Sequence, residues 1–218
     1  VIGQEVVHSF RATKGNSGKM LIKIDLEKTF DRLEWGFIWH ILIFFNFPNI
    51  WIDIILSCIS YSTQSLLFHG VTTDPCFHYR VIRHDNLLSP YHFIPCMEYL
   101  FIAITQPCDQ KLWSPIKIGR SSPTLSHLFF ADDLILFGKA IEENCSTIAS
   151  VLNNFYCKSG QKINLSKSKV FFSANLDDNA KTHLANKLQI IITTNLGKYL
   201  GCSIHYTRPS ANSFSFIV

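Results

Sequence analysis

Apolar and polar positions divide the chain into a small set of elements. Met20-Leu21-Ile22-Lys23-Ile24 reads as a buried strand closed by Asp25. Ser126-His127-Leu128-Phe129 and Leu134-Ile135-Leu136-Phe137 read as the two strands of an apolar hairpin with Asp132 and Asp133 at its tip, and Val170-Phe171-Phe172 as a further strand. Ser65-Leu66-Leu67-Phe68, turning at His69-Gly70, predicts a second hairpin. Ile141, Cys145, Ile148, Leu152 and Phe155 recur at helical spacing, and Gly160 is placed to end that helix. Trp51, Ile54, Ile55, Cys58 and Ile59 form another helical stripe, separated from an earlier helix by the turn Asn46-Phe47-Pro48-Asn49. Ser89-Pro90 is a helix start, with a capping hydroxyl and a proline at the first helical position. A loop is expected from Pro107 to Pro123. Two helices on one face of an antiparallel sheet make an α+β layer fold of the split βαβ kind. No repeat or linker divides it, so residues 1–218 read as one domain.

The apolar stretch from Trp35 to Ile52 lacks Asp, Glu, Lys and Arg and approaches the roughly 20 residues of a spanning helix. Pro48 and two asparagines interrupt it, so a helix pair is expected and no membrane partner. No basic start precedes an apolar run at residue 1, which argues against a signal peptide. At 218 residues and 47% hydrophobic the chain has material for one sizeable core. Its net charge of +4 permits contact with nucleic acid without diagnosing it; Lys158, Lys162, Lys167 and Lys169 are the best basic cluster. Seven cysteines without a CxxC spacing indicate neither a zinc site nor a disulfide framework, and reduced intracellular thiols are expected.

The chemistry lies in the carboxylates. Asp132 and Asp133 repel one another, and their apolar flanks remove the screening water, which makes a divalent cation their natural partner. If the strand before Asp25 pairs with this hairpin, all three carboxylates meet at one sheet edge. Two cations about 3.5–4 Å apart need ligands from more than one segment, and hard oxygens select Mg²⁺ or Mn²⁺. Plainer readings stand beside this one. Asp25 also suits a helix N-cap, Phe30 a core position, Asp31 a helix surface and Lys167 a solvated basic face. Asp132 and Asp133 suit an exposed turn, which four apolar residues on either side make less comfortable.

Five segments in order carry a resemblance. Lys23-x-Asp25-x-x-Lys28-Thr29-Phe30-Asp31, Leu88-Ser89-Pro90-Tyr91, Phe130-Ala131-Asp132-Asp133, Gly160-Gln161-Lys162-Ile163-Asn164 with Lys167-Ser168, and Tyr199-Leu200-Gly201 follow one another as in reverse transcriptases of non-LTR retrotransposons, particularly the plant LINE type. The resemblance covers nearly the whole chain. It implies a right-hand polymerase palm that copies RNA, and often DNA, into DNA from a primed template and deoxynucleoside triphosphates, with Mg²⁺ or Mn²⁺ as cofactor. It implies metal ligation by Asp25 and Asp132 with Asp133 as auxiliary carboxylate, and nucleotide contacts from Phe30, Arg83 and Ser89, Phe30 excluding a 2′-hydroxyl. Lys167 is implied to protonate departing pyrophosphate, and Tyr199, Leu200 and Gly201 to form the primer grip. A monomer in the nucleus is the family expectation. A nucleotidyl cyclase with a related palm would leave the Lys167 and Tyr199 segments unexplained.

The chain also departs from this pattern. Where the family reads Arg-Gln-Gly-Asp-Pro-Leu-Ser-Pro-Tyr, the sequence is Arg83-His84-Asp85-Asn86-Leu87-Leu88-Ser89-Pro90-Tyr91. Asp85 in place of glycine adds bulk and negative charge where backbone approaches phosphates. Asp85, Asn86 and Leu87 each need a single G-to-A or C-to-T transition from the family residue, as in drift of an unselected copy. Pro95, where the family commonly has leucine, falls inside the helix begun at Ser89 and costs roughly 3 kcal/mol. Residue 1 is Val, the match begins shortly before the Asp25 strand, and nothing thumb-like follows Tyr199. Fingers and thumb are therefore expected to be incomplete. A degenerate copy with little or no activity is the expectation, the alternative being a non-catalytic relic that binds nucleic acid weakly.

Overall fold

The computed structural model describes residues 2–11, 13, 15, 17–27, 31–61, 63–77, 89–119, 122–130, 133–199 and 202–203. In chain order the elements are α1 Ile2–Arg11, β1 Lys19–Ile24, α2 Trp35–Phe44, α3 Asn49–Ser60, β2 Thr63–Gln64, β3 Leu67–Phe68, β4 Val71–Thr72, β5 Cys76–Phe77, α4 Ser89–Asp109, β6 Ile116–Lys117, β7 Thr124–Leu125, β8 His127–Phe130, β9 Asp133–Lys139, α5 Glu142–Ser159, β10 Lys169–Phe172, α6 Asp178–Leu188, β11 Ile191–Ile192, β12 Lys198–Tyr199 and β13 Cys202–Ser203. They form two compact units, one of residues 1–26, 103–152 and 163–218, the other of residues 27–102 and 153–162.

The first unit is built on a five-stranded sheet in the order β11-β10-β1-β9-β8. Every pairing in it is antiparallel except β10 with β11, a parallel pair at the edge. β1 lies in the middle, which explains its almost uninterrupted apolar sequence: Met20, Leu21, Ile22 and Ile24 are all buried. One face of the sheet presents Leu21, Ile135, Phe137 and Phe171 to Val6, Val7 and Phe10 of α1. Phe10 stacks on Phe171 with ring centroids 5.9 Å apart. Burying each of the three α1 side chains is worth about 1.5–3 kcal/mol before chain entropy. On the other face Met20 meets Cys145 of α5, sulfur to sulfur at 3.7 Å. There the Trp113 indole donates to the Phe137 carbonyl at 2.9 Å. The sequence pattern predicted helices on a single face; α1, whose Val6, Val7 and Phe10 share one side of a short helix, covers the opposite one.

The second unit contains α2, α3, the short pairs β2 with β5 and β3 with β4, and the early turns of α4. Phe37 of α2 meets the rings of Tyr99 and Phe155 edge-on, each at 5.8 Å between centroids. The turn at Asn46–Pro48 separates α2 from α3 as the sequence predicts, and among the described residues no helix is long and apolar enough to cross a membrane. The expected α3 stripe is present but only partly covered. Ile52 and Ile59 are buried, whereas Trp51 is 57% and Ile54 47% exposed. With Ile55 and Cys58, those two line an apolar cavity of about 410 Å³ shared with Ile38 and Pro95. The β3–β4 hairpin turns at His69 and Gly70, with φ of 49° and 82°, as its sequence requires.

Two boundaries differ from expectation. α4 runs unbroken from Ser89 through Pro95 and on past Pro107 to Asp109, so the loop expected from Pro107 begins later. Pro107 stands in the last turn, and its carbonyl accepts from both Leu112 N–H and Trp113 N–H, at 2.9 and 3.1 Å. Asp31 lies in an exposed turn and not on a helix.

Candidate functional site

The acidic edge of the first unit follows from strand register. β1 pairs with β9 from Lys19↔Lys139 to Ile24↔Leu134. One step further along each chain stand Asp25 and Asp133. β9 begins at Asp133, which pairs with Phe130 of β8 across the hairpin. Residues at even positions of β1 share a face with Leu134 and Leu136, so Lys23 shares the other with Ile135 and Phe137. The Lys23 ammonium lies 4.0 Å from a carboxylate oxygen of Asp133, which places Asp133 on that same face.

Asp25 does not cap a helix. Leu26 bridges to Ile163, Glu27 is in a turn, and the next described helix is α2, preceded at its N-cap by Glu34. The main chain of Asp25 is instead held by the 164–168 segment. Asp25 N–H donates to Ser168 Oγ at 3.0 Å, and the Asp25 carbonyl accepts from Asn164 N–H at 2.8 Å. Sequence reasoning assigned no role to Ser168 or Asn164, although both fall within the quoted segment. A serine that is polar yet precedes a buried strand was the available signal.

Lys167 lies in the turn of that segment and is exposed. Its N–H donates to the carbonyl and to Oδ1 of Asn164, each at 3.2 Å. Tyr199 of β12 packs against the α1 side of the sheet. Its phenol is pushed up from its ordinary value by burial and, secondarily, by the negative charge of Asp133. The residue expected in the primer grip is thus within electrostatic reach of the acidic edge. Ser89 starts α4 and is buried. Phe30, Arg83, Asp132, Leu200 and Gly201, together with the altered positions Asp85, Asn86 and Leu87, lie outside the described residues.

Among the described residues no group of three or more His, Cys, Asp or Glu is gathered to hold a metal ion. Two of the three expected carboxylates, Asp25 and Asp133, are among the described residues, one step beyond the last paired residues of β1 and β9. Their hard oxygens suit Mg²⁺ or Mn²⁺. Asp25 stands just past its strand on a hydrogen-bonded main chain and Asp133 has the Lys23 ammonium near it, and the chemistry of these donors fits a divalent cation.

Comparison with known proteins gives a family and a fold. The reverse transcriptase (RNA-dependent DNA polymerase) family matches residues 3–204. An uncharacterized mitochondrial protein of Arabidopsis thaliana is 39% identical over 54 residues, 25% of this chain and 44% of that protein. The structure of apo telomerase from Candida tropicalis, truncated from its C-terminal domain, superposes with a TM-score of 0.54 and 16% identity over 79% of this chain and 35% of that one. The chain therefore spans less than half the length of either. At that identity the likeness to telomerase is one of fold, a palm-like sheet with helices.

Proposed function

The chain belongs to the reverse transcriptase (RNA-dependent DNA polymerase) family, and from that premise we propose that it is the palm of an RNA-directed DNA polymerase of a non-LTR retrotransposon, of plant LINE type, with activity reduced or lost. The family implies a nucleic-acid template and nucleotide substrates. The observation that supports the reading most is the register that brings Asp25 and Asp133 to adjacent strand ends. In this proposal Asp25, Asp132 and Asp133 supply the oxygen ligands for Mg²⁺ or Mn²⁺. Divalent cations held there contribute neutralisation of triphosphate charge and a lowered pKa for the primer 3′-hydroxyl.

The remaining roles belong to the chain itself. The resemblance assigns Phe30 to excluding a 2′-hydroxyl, Arg83 and Ser89 to nucleotide contacts, and Lys167, in an exposed turn, to protonating the departing pyrophosphate. Tyr199, Leu200 and Gly201 hold the primer terminus, as the partly buried Tyr199 beside the Asp133 charge suggests. The protein works as a monomer in the nucleus on a primed RNA or DNA template.

A second reading, a non-catalytic relic with weak nucleic-acid binding, is favoured by Pro95 within an unbroken α4 and by Asp85 in the preceding motif. Primer extension on an RNA template with Mg²⁺ or Mn²⁺ separates the two. Extension that Asp25→Asn and Asp132→Asn abolish supports the polymerase. Extension that both variants leave intact refutes the assigned site. No extension by the parent chain, with activity regained in Asp85→Gly, supports a palm disabled by drift.

A further inference from the structure

We propose that Ser168 is a positioning residue for Asp25, acting through the Asp25 main chain to fix the carboxylate for its cation; this rests on the reading of Asp25 as a metal ligand. Asp25 stands one residue beyond β1, where the sheet ladder no longer supplies partners. Its N–H and C=O must still be satisfied, and the 164–168 segment satisfies both. Ser168 Oγ accepts from Asp25 N–H at 3.0 Å, and Asn164 N–H donates to the Asp25 carbonyl at 2.8 Å.

That segment is itself locked. Ser168 N–H donates to the Asn164 carbonyl at 2.8 Å. Asn164 Oδ1 accepts from Ser166 Oγ at 2.6 Å and from Lys167 N–H at 3.2 Å. The Ser168 side chain is 0% exposed, so no water can take over when its hydroxyl is removed, and the Asp25 N–H loses its acceptor. The same turn carries Lys167. One hydrogen-bonded unit thus ties the main chain of the proposed proton donor to that of the proposed ligand.

The fold also contains an internal control. At the other end of β1, Ser173 makes the equivalent bond: Lys19 N–H donates to Ser173 Oγ at 2.8 Å, and Ser173 N–H donates to the Lys19 carbonyl at 2.9 Å. Ser173 is also 0% exposed. The two serines flank β10 and secure opposite ends of β1, but only Ser168 holds a residue bearing a carboxylate. Loss of either hydroxyl costs stability, and at Ser173 also removes its bond to Asn175 Oδ1 at 2.6 Å; only Ser168 bears on metal affinity.

The experiment titrates the full chain with Mn²⁺, following free Mn²⁺ by electron paramagnetic resonance, alongside denaturation midpoints. Ser168→Ala is expected to weaken Mn²⁺ binding about tenfold, the lower end of what loss of a ligand's supporting hydrogen bond costs. Ser168→Thr, which keeps the hydroxyl, is expected to restore it, and Ser173→Ala to lower the midpoint while leaving Mn²⁺ affinity unchanged. Equal Mn²⁺ affinity in Ser168→Ala and Ser173→Ala overturns the inference, whether or not the threonine variant folds. Asp25→Asn distinguishes the two levels. If it abolishes binding while Ser168→Ala does not weaken it, only the positioning role fails; if it leaves binding intact, the reading of Asp25 as a ligand fails as well.

Discussion

The ammonium of Lys23 on β1 lies 4.0 Å from a carboxylate oxygen of Asp133 on β9, a diagonal cross-strand pair in which both side chains keep some contact with solvent. A tethered cation beside a carboxylate occupies the ground that a divalent ion would take. At this separation and exposure the pair is worth no more than about 1 kcal/mol. Lys23→Gln is therefore expected to tighten Mn²⁺ binding about two- to fivefold in an equilibrium titration. Weaker binding in the variant would show that Lys23 orients Asp133 and does not compete for it.

Pro95 lies seven residues into the 21-residue α4. It has no N–H to give the Tyr91 carbonyl, and its ring crowds the preceding turn, at a cost of roughly 3 kcal/mol. Pro95→Leu is expected to restore that bond and to place apolar volume beside the cavity that Pro95 lines. The thermal midpoint should rise by roughly 6–12 °C, using about 2–4 °C per kcal/mol for a chain of this size. An unchanged midpoint would mean that bending of α4 already relieves the clash.

Burial lowers the pKa of His127 from 6.5 to about 4. Its ring sits on β8 beside Phe129, at 5.3 Å between centroids, with Nδ1 2.9 Å from Ser126 Oγ. A depressed folded-state value means that the unfolded chain takes up the proton first as pH falls. The stability from keeping His127 neutral is complete above pH 6.5 and is lost as pH falls from there toward 4. By pH 5 the loss should reach about 1–2 kcal/mol, discounted for the partly accessible ring. Urea denaturation at pH 7.5 and pH 5 should show this drop in the parent chain and a smaller one in His127→Gln. Equal drops would place the sensitivity elsewhere.

How much of this was legible in the sequence depended on period and on partners. The strand ending at Asp25 and the hairpin around Asp132 and Asp133 were readable because an apolar run closed by a carboxylate leaves few alternatives, and the β1–β9 register followed once they paired. The helix ended by Gly160 was equally plain from Cys145, Ile148, Leu152 and Phe155. α1 escaped notice because Val6, Val7 and Phe10 make a stripe too short to stand out until the sheet face they cover is known. Trp51 and Ile54 share the side their spacing predicts yet are largely exposed, since helical spacing shows that residues share a side, not that anything packs against it. Ser168 left one faint trace, a polar residue set directly before a buried strand. A buried hydroxyl that accepts a bond from a residue 143 positions away leaves no periodic trace.

Gly160 ends α5 with φ of +75°, and its N–H still donates to the Tyr156 carbonyl at 3.0 Å. The 32–34 segment closes tightly over it. Glu34 N–H donates to the Ser159 carbonyl at 3.0 Å, and Arg32 Nε to the Gly160 carbonyl at 3.3 Å. A Cβ at Gly160 would come within 2.7 Å of the Arg32 carbonyl oxygen, a backbone atom that cannot move aside cheaply. Gly70 has a similar φ of +82°, but a Cβ there would meet nothing within 4 Å. Both alanine variants incur the left-handed backbone penalty of about 1–2 kcal/mol, and only Gly160→Ala adds the collision. Gly160→Ala is therefore expected to destabilise by about 2–4 kcal/mol and Gly70→Ala by about 1–2, measured by urea denaturation. Equal losses would show that the 32–34 segment yields freely, and that glycine is required at position 160 for its backbone angle alone.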